Sequence, residues 1–463
     1  MSLNPPAAAS PARAELPGHA GDAVKAPATP LMEQVVAAAN WRRAAARVQA
    51  NHGSAGADRM TVTQMAAHLR AHSDSLRRSL LAGTYDPQPV RKLEIPKPAG
   101  GVRTLGIPTV LDRLVQQALL QVLQPLLDPG FSRHSFAYRP GRGAHGAVRQ
   151  AQKYVAAGLV WTVRLDLEKF FDRVDHGLLL ERLARHTSDG RVLELVRRFL
   201  TASFVQGWRL ERRTAGTPQG GPLSPLLANL MLDDFDKLLE GRGLAFCRYA
   251  DDVCLHVATR GEGEALLEEL AGWLEHELRL QVNRTKSRVA LAWEEKFLGY
   301  LIQPERAGLR PAPEAWQRVR SSVGEILARG RDRNLAELIE AEINPLLRGW
   351  REYFRLAAGG PFWQRAETML CDQLRRREWQ RWGTARRCER KLRRRGVPPA
   401  AAHALALQPG HPGLEECLRN VLPDEFFTGR GLVNLTSEAG GGAHPPSGAV
   451  FRALAENPRG TRA

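Results

Sequence analysis

An α+β architecture, an antiparallel sheet backed by helices and followed by an all-helical region, is predicted for this chain by three observations. Between Trp161 and Val289 short apolar runs of strand length alternate with helix-length segments. Two of those runs, Phe246-Cys247-Arg248-Tyr249 and Val253-Cys254-Leu255-His256-Val257, flank a tight turn as in a β-hairpin. From Pro311 to about Pro398 the pattern is helical throughout. In chain order, Thr61 to Leu81 carries apolar residues at mixed helical spacing. Ile95 to Pro108 reads as a hairpin turning at Gly100-Gly101. Trp161–Leu167 reads as a buried strand, and His176–His186 as a helix. Ser224–Leu239 is a long helix preceded by a glycine-rich turn, Leu244–Val257 the hairpin, Glu262–Leu278 a helix and Gln281–Val289 a strand. No internal repeat is visible.

The turn of the Leu244–Val257 hairpin holds Asp251 and Asp252 side by side. Adjacent carboxylates repel unless something positive lies between them, and hard oxygen ligands suit Mg²⁺. Alone, the pair would read as a solvated Asp-Asp turn. Upstream, the Trp161–Leu167 strand delivers Asp166 at its end, a third carboxylate able to converge with the pair on two metal ions. Two ions roughly 3.5–4 Å apart stabilise the attacking and leaving oxygens of an in-line phosphoryl displacement.

This arrangement resembles the palm of reverse transcriptases, which implies a right-hand polymerase of fingers, palm and thumb. The resemblance implies Asp166 and Asp251 as principal ligands, with Leu167 beside them and Asp252 in support. It also implies two Mg²⁺ ions that Mn²⁺ can replace. Phe171 matches the aromatic gate under the deoxyribose, while Phe170 is expected in the core. Thr217-Pro218-Gln219-Gly220-Gly221-Pro222-Leu223-Ser224-Pro225-Leu226-Leu227-Ala228-Asn229 looks like the template and nucleotide segment, with Gln219 toward the nucleotide and Gly220 toward the template. The same string would also serve as a plain turn ahead of a helix. Lys286, in Leu280-Gln281-Val282-Asn283-Arg284-Thr285-Lys286-Ser287, is implied as a phosphate contact; by itself it would be a surface charge. Phe297-Leu298-Gly299-Tyr300 looks like the primer-grip hairpin, with Gly299 and Tyr249 at the primer. In the Ile95–Pro108 hairpin, Lys97 and Arg103 are expected to face one another and clamp a triphosphate.

Within that group the chain most resembles group II intron proteins. The supporting segments are Asn51 to Thr61, Phe131-Ser132-Arg133-His134-Ser135-Phe136-Ala137-Tyr138-Arg139-Pro140-Gly141-Arg142, Ile343 to Phe354, Lys391 to Val397, and Leu422 to Phe427 with Gly431 to Leu435. Motifs run in order from about residue 33 to 436. The resemblance implies an RNA-directed DNA polymerase that binds its intron RNA, assists splicing as a maturase, and copies RNA into cDNA by target-primed synthesis. The expected partners are intron RNA, an RNA template with DNA primer, dNTPs and target DNA. Two other employers fit the same motifs: a splicing-only RNA-binding maturase, or a free-standing enzyme recruited to defence, CRISPR spacer acquisition or repair.

Composition is compatible with this and decides little. The 463 residues carry a net charge of +17, which favours a polyanionic partner but would equally suit a ribosomal or membrane-surface protein. No apolar run approaches the roughly 20 residues of a membrane span, so no membrane partner is expected. The first thirty residues lack a secretory h-region, and the five cysteines have no regular spacing. Both point to a reducing compartment, read here as bacterial cytoplasm at the nucleoid. No C-x-x-C pair exists, so a zinc-dependent HNH endonuclease is not expected. The domain reading is a disordered leader (1–30), fingers and palm (31–308, with an N-terminal extension to about 90), a helical thumb/maturase region (309–400), a short DNA-binding-like remnant (401–435) and a disordered tail (436–463).

The thumb region holds the densest basic run, with Trp379 and Trp382 interleaved. Guanidinium groups pair with phosphates, and rings stack on exposed bases. Arg375, Arg376, Arg381, Arg386, Arg387, Lys391 and Arg394 are therefore expected RNA contacts. The alternative is helix core with a solvated basic face, and Trp350 and Trp382 are expected as core.

Overall fold

Among the described residues, period-2 patterning and non-local pairing generate three sheets. In this computed structural model residues 30–96, 102–357, 361–408 and 410–436 are described; all but the last residue of the expected leader and all but the first residue of the expected tail lie outside them. The strands are β1 (Val90–Pro96), β2 (Val102–Ile107), β3 (Trp161–Asp166), β4 (Phe204–Gln206), β5 (Arg209–Glu211), β6 (Ala245–Tyr249), β7 (Asp252–Val257), β8 (Arg288–Leu291), β9 (Tyr300–Ile302) and β10 (Leu309–Pro311). They form sheets in the orders β2-β1-β4-β5, β6-β7-β3-β8 and β10-β9.

The sheet β6-β7-β3-β8 is antiparallel throughout and carries the acidic residues. Side chains alternate across it, so Val163, Leu165, Phe246, Val253 and Leu255 share one face. That face is buried with Leu230 and Phe235 of the helix Ser224–Gly241 and Leu270 and Leu274 of the helix Arg260–Glu277. Each such side chain, fully buried, contributes about 1.5–3 kcal/mol, which makes this face the main anchor of the palm. The other face presents Arg164 and Asp166, and Cys247 and Cys254 join a second core shared with the C-terminal helices. All five cysteines are free thiols.

Element ends follow local chemistry. Thr61 and Gln64 make a reciprocal capping box, so the first long helix starts at Val62. Thr259 caps the helix Arg260–Glu277 through the Glu262 N–H. The expected strand Gln281–Val289 is shorter than its pattern suggested: only Arg288–Leu291 is strand, with a single bridge from Val282 to Leu167. Asn283 is the reason, because its side-chain oxygen takes the N–H groups of Thr285 and Lys286 and folds the chain into a turn.

Helices Pro313–Arg329, Asn344–Tyr353, Pro361–Trp382 and Ala385–Arg393 build the C-terminal region. Leu418, Leu422, Phe427, Leu432 and Leu435 share one core with Trp363, Leu370 and Leu374. Asn344 fastens the end of this segment, donating to the Gly431 carbonyl and accepting from the Val433 N–H.

Candidate active site

Strand pairing brings the three carboxylates to one end of the sheet. In the β3–β7 register Asp166 stands directly opposite Asp252. Ala250 and Asp251 form the two-residue turn closed by the Tyr249–Asp252 pair, and Ala250 adopts a φ of 60°. A non-glycine residue in that region is strained, and such strain persists only where surroundings over-determine it.

Directly opposed like charges destabilise a sheet, so positive charge is required at this corner. Arg164, two residues before Asp166 on the same face, donates to Asp252 at 3.1 Å and to Glu295 at 2.7 Å. Arg288 holds the other oxygen of the buried Glu295. Burial works against the Arg164 charge, but Asp252 and Glu295 more than offset it, and its pKa is raised. Lys286 Nζ lies 3.8 Å from Asp166 Oδ1. Among the described residues no group of three or more His, Cys, Asp or Glu is gathered tightly enough to enclose a metal. Arg164 and Lys286 lie against Asp252 and Asp166 and offset part of the negative charge at this corner. The donor set still fits a hard divalent cation: carboxylates paired across two strands, whose mutual repulsion a cation removes. Leu167 can contribute only its backbone carbonyl, since its side chain is a hydrocarbon, here buried in the core.

The corner is supported from behind by residues that pattern reading missed. Arg248 points into the core with no exposed side-chain surface and makes a two-pronged ion pair with Asp236, one arm being Nε to Oδ1 at 2.7 Å. Its remaining nitrogen donates to Asn229 Oδ1 and to the Ala250 carbonyl, both at 3.0 Å. Asn229 in turn donates to the Ala137 carbonyl at 2.9 Å. The backbone of Arg248 bonds to His134 and Phe136, so the Phe131–Arg142 segment lies along the hairpin's outer edge. Asp166 is pinned separately: its N–H donates to Ser287 Oγ at 3.0 Å, and its carbonyl accepts from Asn283 N–H at 2.8 Å. Arg164 and Glu295 also escaped notice. The only available signal for Arg248 was a charged residue in an otherwise apolar strand.

Of the expected nucleotide residues, Lys286 reaches this corner, 3.8 Å from Asp166. Phe170 is buried, while Phe171 is partly exposed and meets it edge-on at 5.3 Å. Gln219 is half-buried, and its carbonyl accepts from the Gly106 N–H at 2.9 Å, docking the sheet β2-β1-β4-β5 onto the glycine-rich loop. Gly220 has a φ of 136°, and a Cβ there would lie 2.4 Å from the Gly106 carbonyl oxygen. Leu298 and Gly299, at φ 50° and 80°, form a tight turn between Phe297 and Tyr300. Tyr353 donates its hydroxyl to the Leu298 carbonyl at 2.9 Å. Tyr249 is half-buried beside Asp252. Lys97 lies outside the described residues, and Arg103 is placed by its backbone alone. The β1–β2 register sets Ile95 directly opposite Arg103.

The basic run divides in two. Arg375 is buried, held by the Leu422 carbonyl, Asp372 and Asp424. Its expected RNA contact is therefore corrected: the guanidinium ties two C-terminal helices together. Arg376 is exposed but paired with Glu415. Arg381, Arg386, Arg387 and Arg394 are exposed, and the Lys391 ammonium lies 5.3 Å from the centre of the buried Trp382 ring. Helix Ala385–Arg393 buries only Cys388 and Leu392, leaving its arginines on the open side.

Residues 95–302 match the profile of reverse transcriptase (RNA-dependent DNA polymerase), and 316–396 match the group II intron maturase-specific domain. Protein YkfC of Escherichia coli (strain K12) is 33% identical over 290 residues, covering 54% of this chain and 76% of that protein. The group II intron-encoded protein LtrA of Lactococcus lactis subsp. cremoris is 34% identical over 220 residues, covering 47% of this chain and 36% of LtrA. A chain from the solved partial Cas6-RT-Cas1–Cas2 complex aligns at 25% identity over 54% of this chain and 43% of that one; its TM-score of 0.36 is too low to bear on function. The chain belongs to the group II intron reverse transcriptase/maturase family, whose enzymes are RNA-directed DNA polymerases. No described helix is long and apolar enough to cross a membrane.

Proposed function

We propose that the protein copies its intron RNA into cDNA from a primer in target DNA, and that the same chain binds that RNA and assists its splicing, in bacterial cytoplasm at the nucleoid. The observation that carries the polymerase half is the register setting Asp166 opposite Asp252, with Asp251 at the adjoining turn. We read residues 31–308 as fingers and palm, 309–400 as thumb and maturase region, and 401–435 as the DNA-binding-like remnant.

Asp166, the Leu167 backbone and Asp251 would hold divalent ions, Mg²⁺ or Mn²⁺, with Asp252 anchored by Arg164. Bound there, such ions supply neutralisation of the triphosphate and acidification of the primer 3′-hydroxyl. In the reaction a bond forms between the 3′-oxygen and the α-phosphorus, the α–β bridging bond breaks, the hydroxyl proton is lost, and pyrophosphate leaves. Lys286, Lys97 and Arg103 offset phosphate charge, and Gln219 orients the nucleotide. The Phe171 ring excludes a 2′-hydroxyl. Gly220 admits the template backbone, while Gly299 and Tyr249 hold the primer end. Arg381, Arg386, Arg387, Lys391 and Arg394 are the contacts proposed for RNA.

Primer extension on an RNA template tests the polymerase half. Asp251→Asn should abolish extension while RNA binding stays within about twofold of wild type, a change worth less than ~0.5 kcal/mol. Full activity in that variant would remove the metal assignment. Splicing of the flanking RNA at low salt, with and without protein, tests the other half; a rate indifferent to protein would count against it.

A further inference from the structure

The described residues expose eight large apolar side chains, and four of them belong to one sheet: Leu93, Val102, Trp208 and Leu210 on β2-β1-β4-β5. Trp208 is 90% exposed, at the tip of the β4–β5 hairpin beside Gly207, which turns at a φ of 62°. Leu93 and Leu210 lie on a common face: β1 pairs parallel with β4 through Arg91 and Val205, and Val205 pairs with Leu210. Charge on the hairpin is unbalanced. Glu211 is taken by Lys92 at 3.1 Å, whereas exposed Arg209 and Arg212 make no ion pair among the described residues.

We propose that the β4–β5 hairpin is a stacking platform for unpaired polynucleotide, with Trp208 covering a base and Arg209 and Arg212 meeting the adjacent phosphates; this rests on the polymerase reading above. An aromatic ring flanked by uncompensated guanidinium groups suits a single strand, because every base has a π-face and every linkage a negative charge. Position selects which strand. β2 is docked on the Gln219 carbonyl, and β5 is the far edge of the same sheet, three strand spacings away. At about 4.8 Å each this is roughly 14 Å, the length of about four stacked nucleotides. The occupant is the single-stranded template on its way to the site of synthesis.

The test uses the full chain and a DNA primer annealed to RNA templates with 5′ overhangs of either one or about 12 nucleotides, a length within single-strand site sizes. Trp208→Ala should weaken binding to the long-overhang duplex about tenfold, in line with stacking losses elsewhere, and leave the one-nucleotide duplex unchanged. Trp208→Phe should restore most of the difference. Arg209→Gln with Arg212→Gln should flatten the salt dependence on the long overhang alone. Equal affinity of Trp208→Ala and wild type for the long overhang would overturn the proposal, as would an equal loss on both duplexes; a protein-docking face predicts the first of these. Single-nucleotide addition by wild type on the short overhang reports the polymerase reading separately. Because Trp208 is exposed, its replacement removes no core contact.

Discussion

Replacing Arg248 by methionine is expected to damage both the fold and the chemistry, and a second substitution should separate the two. The guanidinium is enclosed, paired with an equally enclosed Asp236, and bonded to Asn229 and the Ala250 carbonyl. Removing one member of such a pair leaves a buried carboxylate uncompensated, at a cost of about 3–5 kcal/mol. Adding Asp236→Leu removes the orphaned charge, and apolar replacement of a whole buried pair is often neutral or stabilising by about 1–4 kcal/mol. The double variant should therefore approach wild type in urea denaturation. Its turn, however, still lacks the donor that fixes the strained Ala250 carbonyl one residue before Asp251. A misplacement of about 1 Å costs on the order of 100-fold in rate, so kcat in primer extension should stay depressed while KM for the duplex changes little. Recovery of both stability and kcat in the double variant would refute the idea that Arg248 positions the carboxylate.

Three further outcomes are expected. Burial pushes the His256 imidazole down to about 4, against an ordinary 6.5, in a pocket with Thr162, Cys254 and Tyr154. A depressed folded-state value means that this contribution is intact above about pH 6.5 and is lost as pH falls toward 4, by up to about 3 kcal/mol; His256→Asn should flatten the pH dependence of Tm in that window, and an unaltered slope would contradict the assignment. Gly220→Ala should abolish extension or destabilise by more than about 1–3 kcal/mol, since a Cβ meets the Gly106 carbonyl at a disallowed φ; normal kcat and Tm would show that the loop yields. Arg386→Gln with Arg387→Gln should reduce the slope of log affinity for RNA against log salt by about one to two without shifting Tm, whereas Arg375→Gln should lower Tm and leave that slope alone.

The acidic hairpin could be read from sequence because its signal is local: apolar runs of strand length on each side of two carboxylates. Asp166 was readable for the same reason, at the end of a strand set by its own pattern. Arg248 and Arg375 were not, because burial of a charge depends on a partner 12 residues away in one case and 49 in the other. A run of arginines counted along the chain cannot distinguish those that solvate a helix from those that cross-link it. The β4–β5 hairpin also escaped: each strand is three residues long, and β4 joins its sheet by parallel pairing with β1 more than a hundred positions upstream. The turn at Asn283 lay inside the stretch read as one strand, Gln281–Val289, where one side-chain oxygen outcompeted the ladder.

The carbonyl of Tyr353 has a consequence for motion. It receives the His145 imidazole at 2.7 Å and the Tyr300 hydroxyl, while the Tyr353 hydroxyl reaches the Leu298 carbonyl. One aromatic residue of a C-terminal helix is thereby bolted to two elements of the catalytic half at both of its ends. A swing of that helix, for instance on taking up a bulky RNA, would pull directly on the Leu298–Gly299 bend. On the function proposed above, engagement of the RNA is felt at the growing end of the DNA through a single rigid lever.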